Sequence, residues 1–242
     1  MFDGVTDAEL GVIAGAPLVR AFAEVGSTMD VAHEMADGGA PSGTLVLADV
    51  QTAGRGRLGR SWTSSAGHGL WLTAVQRDVD RAALECLTIR IGLALAHVLD
   101  AFAAAPVQLK WPNDLFVEGR KLAGILTEAR WREDALAWVA VGVGINLAPP
   151  RDRPDATGLG SGVVRADVLR VVAPAIRLAC SATGRLSSDE MDAFGRRDWL
   201  RGRRLAAPVP GFAAGIDESG ALMVQCGADR RFVNSGSVTV EP

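Results

Sequence analysis

The sequence predicts an α+β fold in which strands and helices build one large unit, residues 1–200, and a small all-β barrel, residues 201–242, follows it. Three observations carry this prediction. Runs with a two-residue apolar period are interleaved with runs recurring at three- and four-residue steps, the periods of strands and helices. From Gly202 onward turn signals recur about every 8–12 residues, at Pro208 to Gly211, Asp217 to Gly220, Gly227 to Asp229 and Asn234 to Gly236, as in a short-stranded β unit. With 242 residues, 48% of them hydrophobic, the chain can bury a full core.

In order, Val19 to Val25 alternates as a half-buried strand. Gly26-Ser27-Thr28 then precedes an apolar-periodic helix ending at Gly38-Gly39. Ser27 or Thr28 either caps that helix or presents its hydroxyl to a ligand at the helix start. Thr44 to Gln51 and Gly69 to Gln76 are the next strands. Leu84, Leu87, Ile91, Leu95, Val98 and Phe102 mark a helix lying on the sheet, with His97 as a packing residue. Val107 to Lys110 is a short strand, Leu115 to Val117 and Leu122 to Glu128 form a hairpin about Gly119, and Trp138 to Leu147 is a continuous apolar strand of the fully buried kind. The stretch from Pro149 to Gly162 is a loop. Val168 to Cys180 is a second long helix, and a shorter one covers Asp189 to Trp199.

Composition removes several functions. A net charge of -3 argues against a broad nucleic-acid surface. Cys86, Cys180 and Cys226 are odd in number and unpaired in spacing, so neither a disulfide framework nor a zinc knuckle is expected and a reducing cytoplasm fits. The N-terminus shows no signal-peptide pattern, and no apolar run reaches the ~18 residues of a membrane span. His33 and His68 stand outside any HExxH-like spacing, so no histidine-built metal site is expected.

The local chemistry concentrates in two places. Gly54 to Arg60, GRGRLGR, alternates three glycines with three arginines directly after a strand, which makes an anion clamp of planar donor forks on a pliable backbone. Lys110, in KWPND, and Lys121, in KLAGI, are the only lysines in a chain that otherwise uses arginine. Gly54, Gly56 and Gly59 satisfy G-x-G-x-x-G, but no helix opens at Gly59, as a dinucleotide site requires. No HRD or DFG accompanies the glycines, against a protein kinase. A minor-groove reader sits poorly with the acidic balance. A merely flexible surface loop is the plain alternative, opposed by the neighbouring Gln51, Trp62 and the paired lysines.

Taken together, QTAGRGRLGRSW (51–62), KWPNDL (110–115), KLAGILTE (121–128) and GVGIN (142–146), with GST at 26–28, resemble the biotin protein ligases, and in that family's order. GIDESGALMV and SGSVTV near the C-terminus resemble the family's small terminal barrel. The resemblance implies a mixed β-sheet with helices packed on it, related to lipoate ligases and class II synthetase cores, followed by an SH3-like β-barrel. It also implies two half-reactions, with ATP and Mg²⁺: biotin and ATP give biotinoyl-5′-AMP and pyrophosphate, then the acyl group passes to a lysine of a biotin carboxyl carrier protein.

Under that resemblance an anion must attack an anion, so positive charge is needed where negative charge accumulates, and Lys121, Arg57 and Arg60 suit this. Lys121 is implied to span the biotin carboxyl and the α-phosphate. Ser27, Thr28 and Gln51, with backbone groups of Arg55 and Gly56, are expected to complement the ureido ring, with Met29 packing nearby and Gly124 allowing close approach. Gly54, Arg57, Arg60, Trp62, Lys110, Asn113 and Asn146 are assigned to ATP or the adenylate, Trp62 stacking on adenine and Asn146 bonding its edge. Plain core packing is the alternative for Trp62. Asp114 is a candidate for phosphate-bound Mg²⁺ and, by position, for deprotonating the acceptor lysine; desolvation on docking is the alternative. Ordering the seven-residue clamp costs ~1–2 kcal/mol per residue, so it is expected to be mobile when empty. About eighteen residues precede the first strand, so no DNA-binding unit and no DNA partner are expected. No membrane partner is expected, and both monomer and homodimer remain open. Lipoate or octanoyl transferase and a non-catalytic sensor are the competing classes. Gln51 with the arginine loop favours the ligase over the first, and the lysine pair favours an enzyme over the second.

Overall fold

Residues 3–241 are described in the computed structural model. Seven strands, β1 (Val19–Val25), β2 (Leu45–Gln51), β3 (Gly69–Gln76), β4 (Gln108–Lys110), β5 (Asp114–Val117), β6 (Arg120–Arg132) and β7 (Ala135–Asn146), form one sheet in the order β1-β2-β3-β7-β6-β5-β4. Only β1 and β2 pair parallel. A parallel pair needs a crossover, and helix α2 (Thr28–Asp37) supplies it. The other neighbours are antiparallel, so the sheet is mixed.

Alternation gives the sheet two unlike faces. On one, Val139, Val141, Val143 and Ile145 of β7 join Leu70 and Leu72 of β3 and Leu45 and Leu47 of β2 in the main core. Helices α1 (Asp7–Ala14), α3 (Leu87–Leu99), α4 (Arg165–Cys180) and α5 (Ser188–Arg197) cover this face. On the other, Ala32 and Ala36 of α2 pack against Val46, Val75 and Trp138, and the remainder of the face is left open for a ligand.

The element order follows the expectation, with differences that have local causes. Helix α3 is shorter than its apolar repeat, because Leu84 lies in a preceding 3₁₀ turn and Phe102 in the turn beyond. His97 is exposed on α3, not packed. Helix α1 was not anticipated. Its signal is a capping box, in which Thr6 accepts from the Glu9 backbone N–H while the Glu9 carboxylate accepts from that of Thr6 at 2.9 Å.

The C-terminal unit comprises β8 (Arg204–Ala207), β9 (Gly211–Ile216), β10 (Leu222–Cys226), β11 (Asp229–Val233) and β12 (Thr239–Val240), antiparallel in the order β11-β10-β9-β8-β12. Among the described residues no pairing joins β11 to β12, so the expected barrel takes the form of a five-stranded sheet that does not close. Leu205, Ala213, Ile216, Leu222 and Val224 share the main core, and Trp111 Nε1 donates to the Gly220 carbonyl at 2.8 Å. The two units therefore share one core.

Asp198, in the connection between α5 and β8, is buried. Its Oδ1 accepts from the Leu200 N–H at 2.9 Å, while Oδ2 finds no hydrogen-bond partner among the described residues. Burial pushes its carboxyl up to about 6, against the opposing pull of the Leu200 N–H. The folded state therefore binds this proton more tightly than the unfolded chain. Stability from this group is full below about pH 4 and is lost as pH rises through about 6, by roughly 3 kcal/mol. Asp198→Asn is expected to raise the melting temperature at pH 8 and to flatten its decline between pH 4 and 6; an unchanged pH profile in thermal melts would contradict this.

Candidate active site

The register of the sheet lines up one row of side chains on the open face. Lys110 pairs with Asp114, Asp114 with Gly124, Gly124 with Gly144, and Gly144 with Trp71. Directly paired residues point to the same side, so this row presents a cation and a carboxylate beside two positions without side chains. Trp62 fills the gap. A Cβ on Gly144 would lie 2.5 Å from Trp62 ring atoms and one on Gly124 2.9 Å from them, so only glycine admits the indole there. Trp71 meets Trp62 edge-on, centroids 6.0 Å apart. A further strand glycine, Gly142, makes room for Met29, whose Cε would be 2.8 Å from an added Cβ.

Lys121 reaches this face through an irregularity. Gly124 faces the cavity, so regular alternation would aim Leu122 there and Lys121 away. The β5–β6 register shifts between Leu115 and Phe116, pairing Phe116 with Lys121 and leaving Leu122 extra and fully buried in the main core. The Lys121 backbone is held by the 149–162 loop, its N–H donating to Asp155 at 2.9 Å and its carbonyl accepting from Thr157 at 2.8 Å. Its Nζ lies 2.7 Å from Asp114 Oδ1 and 5.2 Å from the Trp62 ring.

The glycine–arginine run forms a tight hairpin between β2 and β3. Gly56 N–H donates to Arg60 O at 2.7 Å and Trp62 N–H to Gly54 O at 2.8 Å, while Leu58 and Gly59 adopt left-handed conformations at its tip. Arg57 turns inward, where its Nη1 donates to Asn113 Oδ1 at 3.3 Å. Burial lowers the Arg57 pKa and the nearby Asp114 opposes this, but a guanidinium remains a cation. Arg60 crosses to the C-terminal unit and donates to the Ser237 hydroxyl at 2.9 Å. Arg55 pairs with Asp30 of α2 at 2.7 Å.

At the start of α2, Ser27 is the cap, its Oγ accepting from the Met29 N–H at 3.3 Å, and it also lines the cavity. Thr28 donates from N–H and hydroxyl to Gln51 Oε1 at 2.9 and 3.0 Å, and its hydroxyl lies 2.8 Å from that of Thr73. Capping and lining thus coincide in Ser27.

These elements enclose a cavity of about 260 Å³. Ser27, Thr28, Met29, Gln51, Arg55, Gly56, Arg57, Arg60, Trp62, Lys110, Asn113, Asp114, Lys121, Gly124 and Asn146 all line it. Gly54 does not. It sits behind the clamp, where a Cβ would lie 2.5 Å from the Trp62 carbonyl, so it shapes the loop instead of facing the cavity. Asn113 Nδ2 donates to Ile125 O at 2.9 Å, so this residue orients Arg57 from a fixed position. Asn146 is buried, with Nδ2 3.5 Å from the Lys121 carbonyl. Sequence reasoning passed over Thr73, Gly142, Arg153 and Ser237, which also line the cavity. Gly142 carried a readable signal as a glycine inside an apolar strand; the others depend on chain crossings far apart in sequence. Asp114 is the one carboxylate among the described lining residues, against six cationic side chains that include Arg153. Among the described residues no group of three or more His, Cys, Asp or Glu gathers as a metal site, and no helix is long and apolar enough to cross a membrane.

A mixed sheet with a basic, glycine-floored cavity beneath an arginine-bearing hairpin defines a class of protein whose site suits an anionic ligand. The chain belongs to the biotin/lipoate A/B protein ligase family, whose model matches residues 22–146. It is 34% identical to the biotin–[acetyl-CoA-carboxylase] ligase of Mycobacterium tuberculosis over 96% of this chain and 92% of that one. It is 36% identical to the bifunctional ligase/repressor BirA of Bacillus subtilis over 82% of this chain, spanning 66% of that protein. A biotin protein ligase from Aquifex aeolicus, solved with biotin and ATP, superposes with a TM-score of 0.74 at 26% identity, covering 92% of this chain and 98% of that one.

Proposed function

We propose that this chain is a biotin protein ligase, which uses ATP to join biotin to one lysine of a biotin carboxyl carrier domain. The observation that carries this reading is the convergence of Lys121, Lys110, Arg57 and Arg60 with Asp114 on one cavity, in a chain of this family.

In the first half-reaction a biotin carboxylate oxygen attacks the α-phosphorus of ATP, the bond to the bridging oxygen breaks, and pyrophosphate leaves. Lys121, with Arg57 and Arg60, stabilises the charge that builds between the two anions. Ser27, Thr28, Gln51 and the clamp backbone at Arg55 and Gly56 complement the ureido ring, with Met29 and Gly124 shaping its approach. Trp62 and Asn146 face the adenine, with Lys110 and Asn113 toward ribose and phosphates. Mg²⁺ would arrive on the triphosphate, supplying charge neutralisation. A single lining carboxylate, Asp114, matches an ion that keeps its waters and takes one or two protein ligands. In the second half-reaction the neutral amine of the carrier lysine attacks the acyl carbon, AMP leaves with the bonding pair, and the amine gives up one proton. Asp114 is the candidate acceptor, with desolvation of the amine on docking as the alternative. Closure of the clamp over the mixed anhydride excludes water. A division at residue 200, with an SH3-like C-terminal unit, and a cytoplasmic setting complete the reading.

The test is to incubate the protein with ATP, Mg²⁺, a biotin carrier domain and either biotin or lipoate, and to weigh the carrier. A carrier heavier by one biotinoyl group, and unchanged with lipoate, is expected, because a site built for ureido hydrogen bonds rejects a ligand lacking them by ~10⁴–10⁵. A lipoyl adduct, or none from either acid, would overturn it.

A further inference from the structure

The two lysines of the cavity are held in opposite ways. Lys121 lies against a carboxylate at 2.7 Å, whereas Lys110 makes no ion pair among the described residues. Its Nζ instead sits 5.2 Å from the ring of Phe116 and 5.2 Å from that of Trp199. These rings pack on each other with centroids 5.0 Å apart and planes tilted by 48°. Trp199 lies in the connection between α5 and β8, outside every motif that drew attention to the site. It is nonetheless tied to the strand carrying Lys110: its N–H donates to the Leu109 carbonyl at 2.9 Å. The Arg203 guanidinium stacks over its ring at 4.2 Å and donates from Nε to its carbonyl at 2.7 Å, fixing it from the C-terminal side.

A ring face and a carboxylate both attract an ammonium, but with different consequences. The carboxylate offsets part of the charge it holds and must be displaced or shared when an anionic ligand arrives. The ring has a quadrupole and no net charge, so it orients the ammonium and leaves its field available to an incoming anion. Burial lowers the Lys110 pKa, and the nearby Asp114 carboxylate opposes that pull without contacting the ammonium. Lys110 is also placed on β4, at the far end of the sheet from Gln51 and the start of α2, so its charge serves the end of the cavity remote from the ureido-type groups.

We propose that Phe116 and Trp199 are positioning residues that hold Lys110, free of a direct ion pair, for the polyphosphate of the nucleotide, which makes the connection to the C-terminal sheet a part of the nucleotide site. This rests on ATP being the substrate of the cavity. It assigns Lys110 to phosphate, not to ribose or to biotin.

The experiment is calorimetric titration of the full chain with MgATP and, separately, with biotin. Trp199→Leu removes the ring, Trp199→Phe keeps one, and Lys110→Met removes the charge. Trp199→Leu is expected to weaken MgATP by about ten-fold, the value of one lost cation–ring contact, with biotin affinity within about two-fold. Trp199→Phe restores most of the affinity. In the Lys110→Met background, Trp199→Leu produces no further loss. A merely structural tryptophan would weaken both ligands together and would keep its effect when Lys110 is gone; either result overturns the proposal, as does an unchanged MgATP affinity in Trp199→Leu. Should Trp199→Leu fail to fold by circular dichroism, Phe116→Leu replaces it in the same cycle. Because binding is read and not turnover, failure to modify any carrier would sink the ligase reading while leaving this test intact.

Discussion

Lys121→Arg is expected to slow biotin-dependent ATP–pyrophosphate exchange by ~10²–10³-fold, the loss typical of one displaced donor to a transition-state oxyanion. The physical reason is room and shape. The Lys121 ammonium sits in contact with Asp114 at 2.7 Å and beneath the Trp62 indole at 5.2 Å, a position suited to a compact point charge. A planar guanidinium is wider, reaches further, and prefers to engage a carboxylate through two donors, so it would lock onto Asp114 instead of bridging two reacting anions. The backbone at this position is held on both sides by Asp155 and Thr157, so the substitution is expected to leave the thermal midpoint nearly unchanged. Exchange close to the wild-type rate in a stopped mixture of biotin, ATP and labelled pyrophosphate would remove Lys121 from its proposed role.

Gly144→Ala is expected to leave the fold intact and to lower the same exchange rate on the order of 10²-fold, the scale of a misplacement of about 1 Å in an active site. The added Cβ would meet two Trp62 ring carbons at 2.5 Å and its Nε1 at 2.7 Å. What must give way is a side chain on a surface hairpin, which can swing out, so stability changes little while the indole loses its seat. Gly69→Ala is the control. Its Cβ would strike the Ile145 carbonyl at 2.6 Å as well as Trp71, and a backbone oxygen in the middle of a sheet cannot move aside. That variant should lose stability outright. Equal melting temperatures for the two variants, or full activity in Gly144→Ala, would show that the glycine floor does not position Trp62.

Much of this site was legible before any coordinates. The boundaries of β1 and β3 coincide with the strand-like stretches, β1 through the alternation of a half-buried strand and β3 as a strand buried along its whole length. The arginine clamp and the lysine pair were visible as residue types whose presence needs a chemical reason. The role of Ser27 as a cap was visible for the same reason, since a helix start leaves N–H groups that a hydroxyl can satisfy locally. By contrast, the capping box of α1 was readable and passed over, and His97 was placed in the packing although a polar ring at an exposed helix position needs no partner.

What the sequence by itself determined is the inventory: which elements form, which residues carry charge, and where a missing side chain lets something close approach. What only the tertiary structure decided is which of those residues meet. Lys121 would face away from Asp114 under plain alternation, and one extra residue at Leu122 turns it onto the cavity. Arg60 reaches Ser237, and Trp199 reaches Lys110, across separations of sequence that no local pattern records. The reason is physical: periodicity reflects forces between near neighbours in the chain, whereas strand register and the docking of the C-terminal sheet are chosen by packing between distant segments, where a shift of one residue reverses the face of every side chain that follows.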